Sequence, residues 1–463
     1  MSSRITFGAR IVTVSLTALL AGLVASPVLA APATASAEVG VAESTPPPTE
    51  PATAEAPVAE EKATTEAPAP MLLPPAPVDA KPEPPKPPLV TIYGIIKPEV
   101  ILAQGAETFG KNMLVAPTAA ANPIAVPNYG ETALSFQLQQ TRFGLKINDG
   151  GPISGRIEVD FIDPAFSHSS PIQGTGLRLR LAYITYKPAE GHTLMIGQNW
   201  DIFSPLNAVT MNMVGNSYQA GNSAFLRPQI AYTYGKGQGI EISAAVGLRA
   251  QNTNAEMNLL EYGMIPTFAL QVGYRIGKTW LGASGIIGAE ETALSPRTYN
   301  GAFAGNLFAN LALSDTFTLV IDGYIGRSTN ALGLLTLGSG QNVVDAGAFA
   351  SMNWKFAKMH ALWATAGVAG VLNPDDLAVG YTAGTPAVPP AAAVPAARVG
   401  IGGIESNVNL RATYVFSPLD GLQFYAEPFL FITRHKLNAA DDPTGSLASR
   451  VAPGLQVGTR YNF

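Results

Sequence analysis

The sequence predicts an all-β chain: a transmembrane antiparallel β-barrel of about sixteen strands, preceded by a leader and a low-complexity segment. Three observations carry that prediction. Hydrophobic residues make up 47% of the 463 residues and charged residues only 13%, against about 25% charged in a typical soluble domain. Beyond residue 30 there is no uninterrupted apolar run of roughly eighteen residues, so the apolar surface does not belong to membrane-spanning helices. From Leu89 onward, segments of about ten residues alternate apolar and polar, which puts one character on each face of a strand.

Residues 1–30 read as a secretory signal peptide. Arg4 and Arg10 form the basic start, Ile11 to Val24 the apolar core, and Val28-Leu29-Ala30 leads to expected cleavage near Ala31. That core is shorter than the ~20 residues a transmembrane anchor needs. Residues 31–88 are almost wholly Ala, Pro, Glu and Thr, with no aromatic residue. Such a segment cannot bury a core, and its expected state is disordered with polyproline II character. At about 3.1 Å per residue it reaches on the order of 180 Å, the scale of a periplasm. Its nine carboxylates against Lys62, Lys81 and Lys86 give a charge of −6. With +2 on the leader and −5 overall, residues 89–463 are left near −1. A tether to the cell wall and a plain linker are both open readings for this segment, which shows no binding motif.

The barrel is expected over 89–463. Its predicted strands are 89–103, 133–147, 152–163, 176–187, 192–201, 226–235, 239–251, 266–276, 279–289, 303–313, 316–327, 342–354, 360–372, 403–416, 421–434 and 451–463. In 267–276, Phe268, Leu270, Val272, Tyr274 and Ile276 alternate with Thr267, Ala269, Gln271, Gly273 and Arg275. In 407–416, Val408, Leu410, Ala412, Tyr414 and Phe416 alternate with Asn407, Asn409, Arg411 and Thr413. Short turns such as NDGG (148–151), GKGQG (235–239), Gly277-Lys278 and Ser314-Asp315 alternate with connections of roughly ten to thirty residues, the rhythm of a barrel with short periplasmic turns and long outer loops. Aromatic residues expected in the interfacial girdles include Tyr93, Phe143, Trp200, Trp280, Trp354, Phe416, Tyr461 and Phe463. In the second strand, Leu134, Phe136 and Leu138 share parity with Arg142, so a bulge near Gln139–Gln140 is required if Arg142 faces inward.

Cysteine is absent, which excludes thiolate catalysis, disulfides and cysteine-ligated metals. His168, His192, His360 and His435 are far apart without metal-ligand spacing, so no metal and no cofactor are expected. No nucleophile–base pairing suggests an enzyme, and nucleic acid is not an expected partner.

The stretches TRFGLKIND (141–149), GGPISGRIEVDF (150–161), RLAYITYKP (180–188) and TLMIGQNWDIF (193–203), with the terminal GTRYNF, resemble the trimeric general porins of Gram-negative outer membranes. GQNWDIFSPLN (197–207) is most similar to the DcaP-like branch. Members of that branch tend to carry an N-terminal coiled coil, which a tail this rich in proline cannot form. The resemblance implies a homotrimer in outer-membrane lipid. It also implies that Tyr461 and Phe463 belong to a C-terminal signal read by the barrel-assembly machinery. The third outer loop, 202–225, would fold into the lumen opposite a basic wall of Arg142, Arg178 and Arg180, with Arg227 a looser match. That loop departs from the porin pattern by carrying no charged residue. Asp201 stands at its root, and Asn207, Asn212, Asn216, Gln219 and Asn222 are its polar groups.

On the polar strand faces, the basic residues are Arg142, Lys146, Arg156, Arg178, Arg180, Arg249, Arg275, Arg411 and Arg460. The acidic residues are Glu158, Asp160, Glu241, Asp322 and Glu427. Arginine-rich linings favour anions, so the expected function is passive diffusion of small hydrophilic solutes with a modest anion preference. The same arginines can instead pair across strands with Glu158, Asp160 and Glu241. A selective channel for organic or phosphate-like anions and a structural or adhesive barrel are the alternatives.

Overall fold

The computed structural model describes residues 89–104, 132–161, 177–211, 217–223, 226–248, 265–294, 297–337, 342–377, 381–382, 397–398, 403–436 and 449–463. The chain divides into two units, Met1–Lys81 and Pro82–Phe463, and every described residue belongs to the second. The expected leader and tail, together with Asn212, Asn216, Arg249 and His168, lie outside the described residues.

Sixteen strands follow one another, each antiparallel to its sequence neighbour. Two of them are interrupted: β1 comprises Val90–Ile96 and Glu99–Gln104, and β2 comprises Thr132–Gln137 and Arg142–Ile147. Next come β3 (Ile153–Asp160), β4 (Arg178–Tyr186), β5 (His192–Trp200), β6 (Leu226–Gly235), β7 (Gly239–Gly247) and β8 (Thr267–Ile276). The remaining strands are β9 (Thr279–Leu294), β10 (Arg297–Ala312), β11 (Phe317–Arg327), β12 (Val344–Ala357), β13 (His360–Val371), β14 (Ile404–Leu419), β15 (Leu422–His435) and β16 (Ser449–Asn462). Last pairs with first, Ile95 opposite Asn462 and Glu99 opposite Gly458, so the sheet closes. Closure removes both edges and satisfies the main chain internally, as hydrocarbon demands.

The alternation sorts the two faces. On β8, Phe268, Leu270, Val272, Tyr274 and Ile276 are exposed, whereas Thr267 and Gln271 are buried. The exposed face is apolar on nearly every strand, and the buried face is the inner one. The break in β2 lies at Leu138–Thr141, closed by a hydrogen bond from Thr141 N to Leu138 O (3.0 Å). Leu134 and Phe136 are exposed before it and Phe143 and Leu145 after it, so the strand changes phase and Arg142 turns inward. β4 makes a similar adjustment: its pairing with β3 shifts between Glu158 and Val159, leaving Arg180 as the extra residue.

Two expectations need correction. β9 and β10 were expected to end at 289 and begin at 303, with a long loop between. Instead they stay paired from Trp280–Asn310 to Leu294–Arg297, across a bulge between Glu291 and Ala293. The apolar alternation that defined the predicted strands stops short of these ends, but the main-chain ladder continues past it. Among the girdle aromatics, Tyr93 and Trp280 face inward, Tyr93 onto Glu158 and Trp280 onto Arg275. Others do form a belt near the short-turn end of β12–β15. There Trp354, Phe356, His360, Phe416 and Phe424 stack in sequence with centroids 5.2 to 6.4 Å apart.

Candidate functional site

Glu158 and Asp160 sit two residues apart on β3 and therefore share its inner face. The register places Asp160 opposite both Arg142 of β2 and Arg178 of β4. Arg178 holds Asp160 through two bonds, Nε to Oδ1 (3.0 Å) and Nη2 to Oδ2 (2.7 Å). Arg180 donates from Nε to Glu158 Oε1 (3.1 Å) and lies 3.5 Å from Asp160. Below them Arg156 donates to Glu158 (3.1 Å) and to the Tyr93 hydroxyl (2.6 Å), which itself donates to Glu158 (2.9 Å). Arg142 makes no ion pair among the described residues, and its Nε is buried without a partner. Three guanidinium groups thus hold two carboxylates with Arg142 opposite them, and the patch keeps a positive surplus.

The segment after β5 runs along the other side. Phe203 N donates to Asp201 Oδ1 (2.6 Å), and Ser204 to Asp322 of β11 (3.1 Å). Val209 N donates to Ser351 of β12 (3.1 Å), and its carbonyl accepts from Thr365 of β13 (2.8 Å). Met211 N donates to Glu427 of β15 (2.7 Å), and Asn407 of β14 donates to Gln219 O (3.2 Å). Contact is close enough to require glycine on both partners. A Cβ on Gly221, at φ +101°, would sit 2.1 Å from Ala348 O, and one on Gly367 would sit 2.1 Å from Ala220 O. Asn207 accepts from Asn222 (3.2 Å) within the segment.

Beyond the β2–β4 patch, three further inner arginines are held in ion pairs. Arg411 donates to Glu427 (2.8 Å) with both side chains buried, and Thr413 completes the Glu427 shell (2.6 Å). Arg275 is bidentate to Glu241 (3.0 and 3.2 Å). Arg227 donates through Nε to Asp201, through Nη1 to Leu248 O (2.6 Å) and through Nη2 to Leu332 O (2.6 Å). The cross-strand pairing weighed for the inner arginines therefore describes Arg275 and Arg411 in full, and the β2–β4 patch in part.

Sequence reasoning missed two groups. Lys97 and Glu99, at the interruption of β1, form a buried pair that also engages Gln140, Tyr425 and Gln456 where first and last strands meet. Lys97 follows Ile96 directly and precedes Pro98, so the break in apolar alternation was visible. The second group is the connection after β11, whose leucines are buried. Among the described residues no cluster of His, Asp and Glu suits a metal ion.

The closed sixteen-stranded barrel with an apolar outside and a charged inside has the architecture of outer-membrane porins. One solved structure bears out that fold, and others are similar to it. The outer membrane channel DcaP of Acinetobacter baumannii aligns with a TM-score of 0.58 at 15% identity, covering 81% of this chain and 97% of its own. Salmonella typhi OmpF aligns at 0.49 and 9% identity over 81% and 97%. The anion-selective porin from Comamonas acidovorans aligns at 0.47 and 13% over 81% and 99%. No protein-family model matches the chain, and no curated protein does.

Proposed function

We propose that this chain is a porin of a Gram-negative outer membrane, passing small hydrophilic solutes by passive diffusion with a modest preference for anions. The observation that carries the reading is the pair of opposed faces: an apolar exterior fit for lipid, and an inner wall at β2–β4 where Arg142, Arg156, Arg178 and Arg180 outnumber Glu158 and Asp160. In this reading the segment 202–225 is the third outer loop, folded into the lumen. Its hydrogen bonds to β11–β15 support that course, and its lack of charge leaves the β2–β4 patch to set the field. Asp201 anchors the loop root and Asn207 belongs to its polar lining, a role the reading also assigns to Asn212 and Asn216 from the sequence alone. Arg227, with its donors occupied, serves the wall as a brace more than as a free cation.

The reading extends to a homotrimer, with residues 31–88 in the periplasm as linker or cell-wall tether. Tyr461 and Phe463 form its assembly signal, supported by Phe463 pairing with Gly94 in both directions (3.0 and 3.1 Å). A channel selective for organic or phosphate-like anions is a second reading, favoured by the buried, unpartnered Nε of Arg142 beside Arg180. Single-channel recording of the refolded protein tests the main reading. Stepwise openings with conductance proportional to salt support diffusion, saturation by an organic anion supports the selective channel, and a folded barrel without conductance defeats both.

A further inference from the structure

The connection after β11 falls between the predicted strands 316–327 and 342–354, among the long connections. Residues 328–337 read STNALGLLTL, and Ser328, Thr329, Leu332, Leu334 and Leu337 are all buried. A short 3-10 helix, Thr329–Leu332, ends on Gly333 at φ +74° and turns the chain back. Leu332 and Leu334 join a cluster with Phe203 of the preceding segment and with Ile286, Ala302, Ala304 and Tyr324 of the inner wall. Leu337 reaches Ala369 and Ile404, so the connection crosses the inner side from β9 to β14. Polar groups fix its start: Ser328 donates to Glu290 (2.7 Å), and Thr329 to Asp345 (2.5 Å).

Its main chain grips the segment 217–223. Gln219 N donates to Leu335 O (3.2 Å), Leu335 N donates to Ser223 O (3.2 Å), and the Gln219 amide donates to Thr336 O (3.3 Å). Ser217 and Gln219 hold φ near +57° and +59°. Residues other than glycine stay in that region only where their surroundings over-determine them. Arg227 ties both segments to the barrel by bonding Asp201 and Leu332 O together.

We infer that residues 328–337 are a second inward loop that clamps 217–223, so that the aperture is set by two loops together and widens when the clamp is released. The inference rests on the channel reading above. Two variants of the full-length chain test it. Replacing 329–337 by a short Gly-Ser turn removes the clamp, and Arg227→Lys keeps the Asp201 pair while losing the forked donation to Leu332 O. Both are checked for folding by heat-modifiable migration, then recorded in planar bilayers with neutral polymers of graded size. The expected result is a rise in conductance of about twofold or more for the replacement, admission of larger polymers, and frequent sublevel switching for Arg227→Lys, as a looser constriction requires. Wild-type openings matched by both folded variants, with the same polymer cutoff, would overturn the clamp and leave the channel intact. If the replacement does not fold, Arg227→Lys decides alone by its switching. A folded wild-type chain that never conducts overturns the channel reading instead.

Discussion

The inner wall at β2–β4 and the inner wall at β11–β15 are built from the same kinds of residue and used differently. On β2–β4 the carboxylates are outnumbered, Arg178 and Arg156 remain partly exposed, and the ion pairs form a ladder along the wall itself. On β11–β15 the polar side chains turn to a second layer of chain: Asp322, Ser351, Thr365, Asn407 and Glu427 each bond the segment after β5. An inward polar residue in a barrel is therefore either part of the field or part of the scaffold, and strand alternation alone does not distinguish the two.

The difference sets the size of mutational effects. Glu427→Ala removes the acceptor for Arg411, Thr413 and Met211 N at once and strands a buried guanidinium. Its expected cost is about 3–5 kcal/mol, seen as loss of folded barrel at lower urea. Arg178→Ala on the other wall leaves Asp160 beside Arg180, and the side chain it removes is partly solvated. An expected loss of about 1–2 kcal/mol in the same titration follows from a charged hydrogen bond with a surviving neighbour. An equal loss at the two sites would erase the distinction between the walls. Ser204→Ala deletes a single bond to Asp322 and is expected to cost about 1 kcal/mol, with openings that flicker more as the loop root loosens.

The smallest effect lies outside both walls. Lys278 and Asp315 pair at 2.8 Å between neighbouring turns, fully exposed. The contact holds Asp315 below its ordinary carboxylate range and Lys278 above its own. A depressed carboxyl contributes stability at neutral pH and loses it as pH falls through its folded value. In solvent that contribution is screened, so Asp315→Asn is expected to leave the urea midpoint at pH 7 unchanged. A clear drop would place the turn in a tighter setting than its exposure suggests.

Much of the fold was legible because lipid enforces alternation. Phe268 through Ile276 cannot change phase without placing Arg275 in hydrocarbon, and the phase change in β2 was demanded by Leu134, Phe136 and Arg142. Where lipid ends, so does that signal, and the paired ends of β9 and β10 were read as loop. The β2–β4 patch could be read from its spacing, since Glu158, Asp160, Arg178 and Arg180 each repeat with period two. Which charges would be absorbed by scaffold could not be read, because Glu427 and Met211 are brought together only by a loop's course. One signal did go unused: ALGLLTL at 331–337 is too apolar for a loop in water, and its leucines were evidence of a buried destination.

The reversal potential of the refolded protein across a KCl gradient tests the charged wall most directly. The expected result is an anion-biased potential that moves toward zero when Arg178→Ala and Arg180→Ala are combined. A cation-biased wild type, or a bias indifferent to both substitutions, would contradict it and place the selective field elsewhere in the barrel.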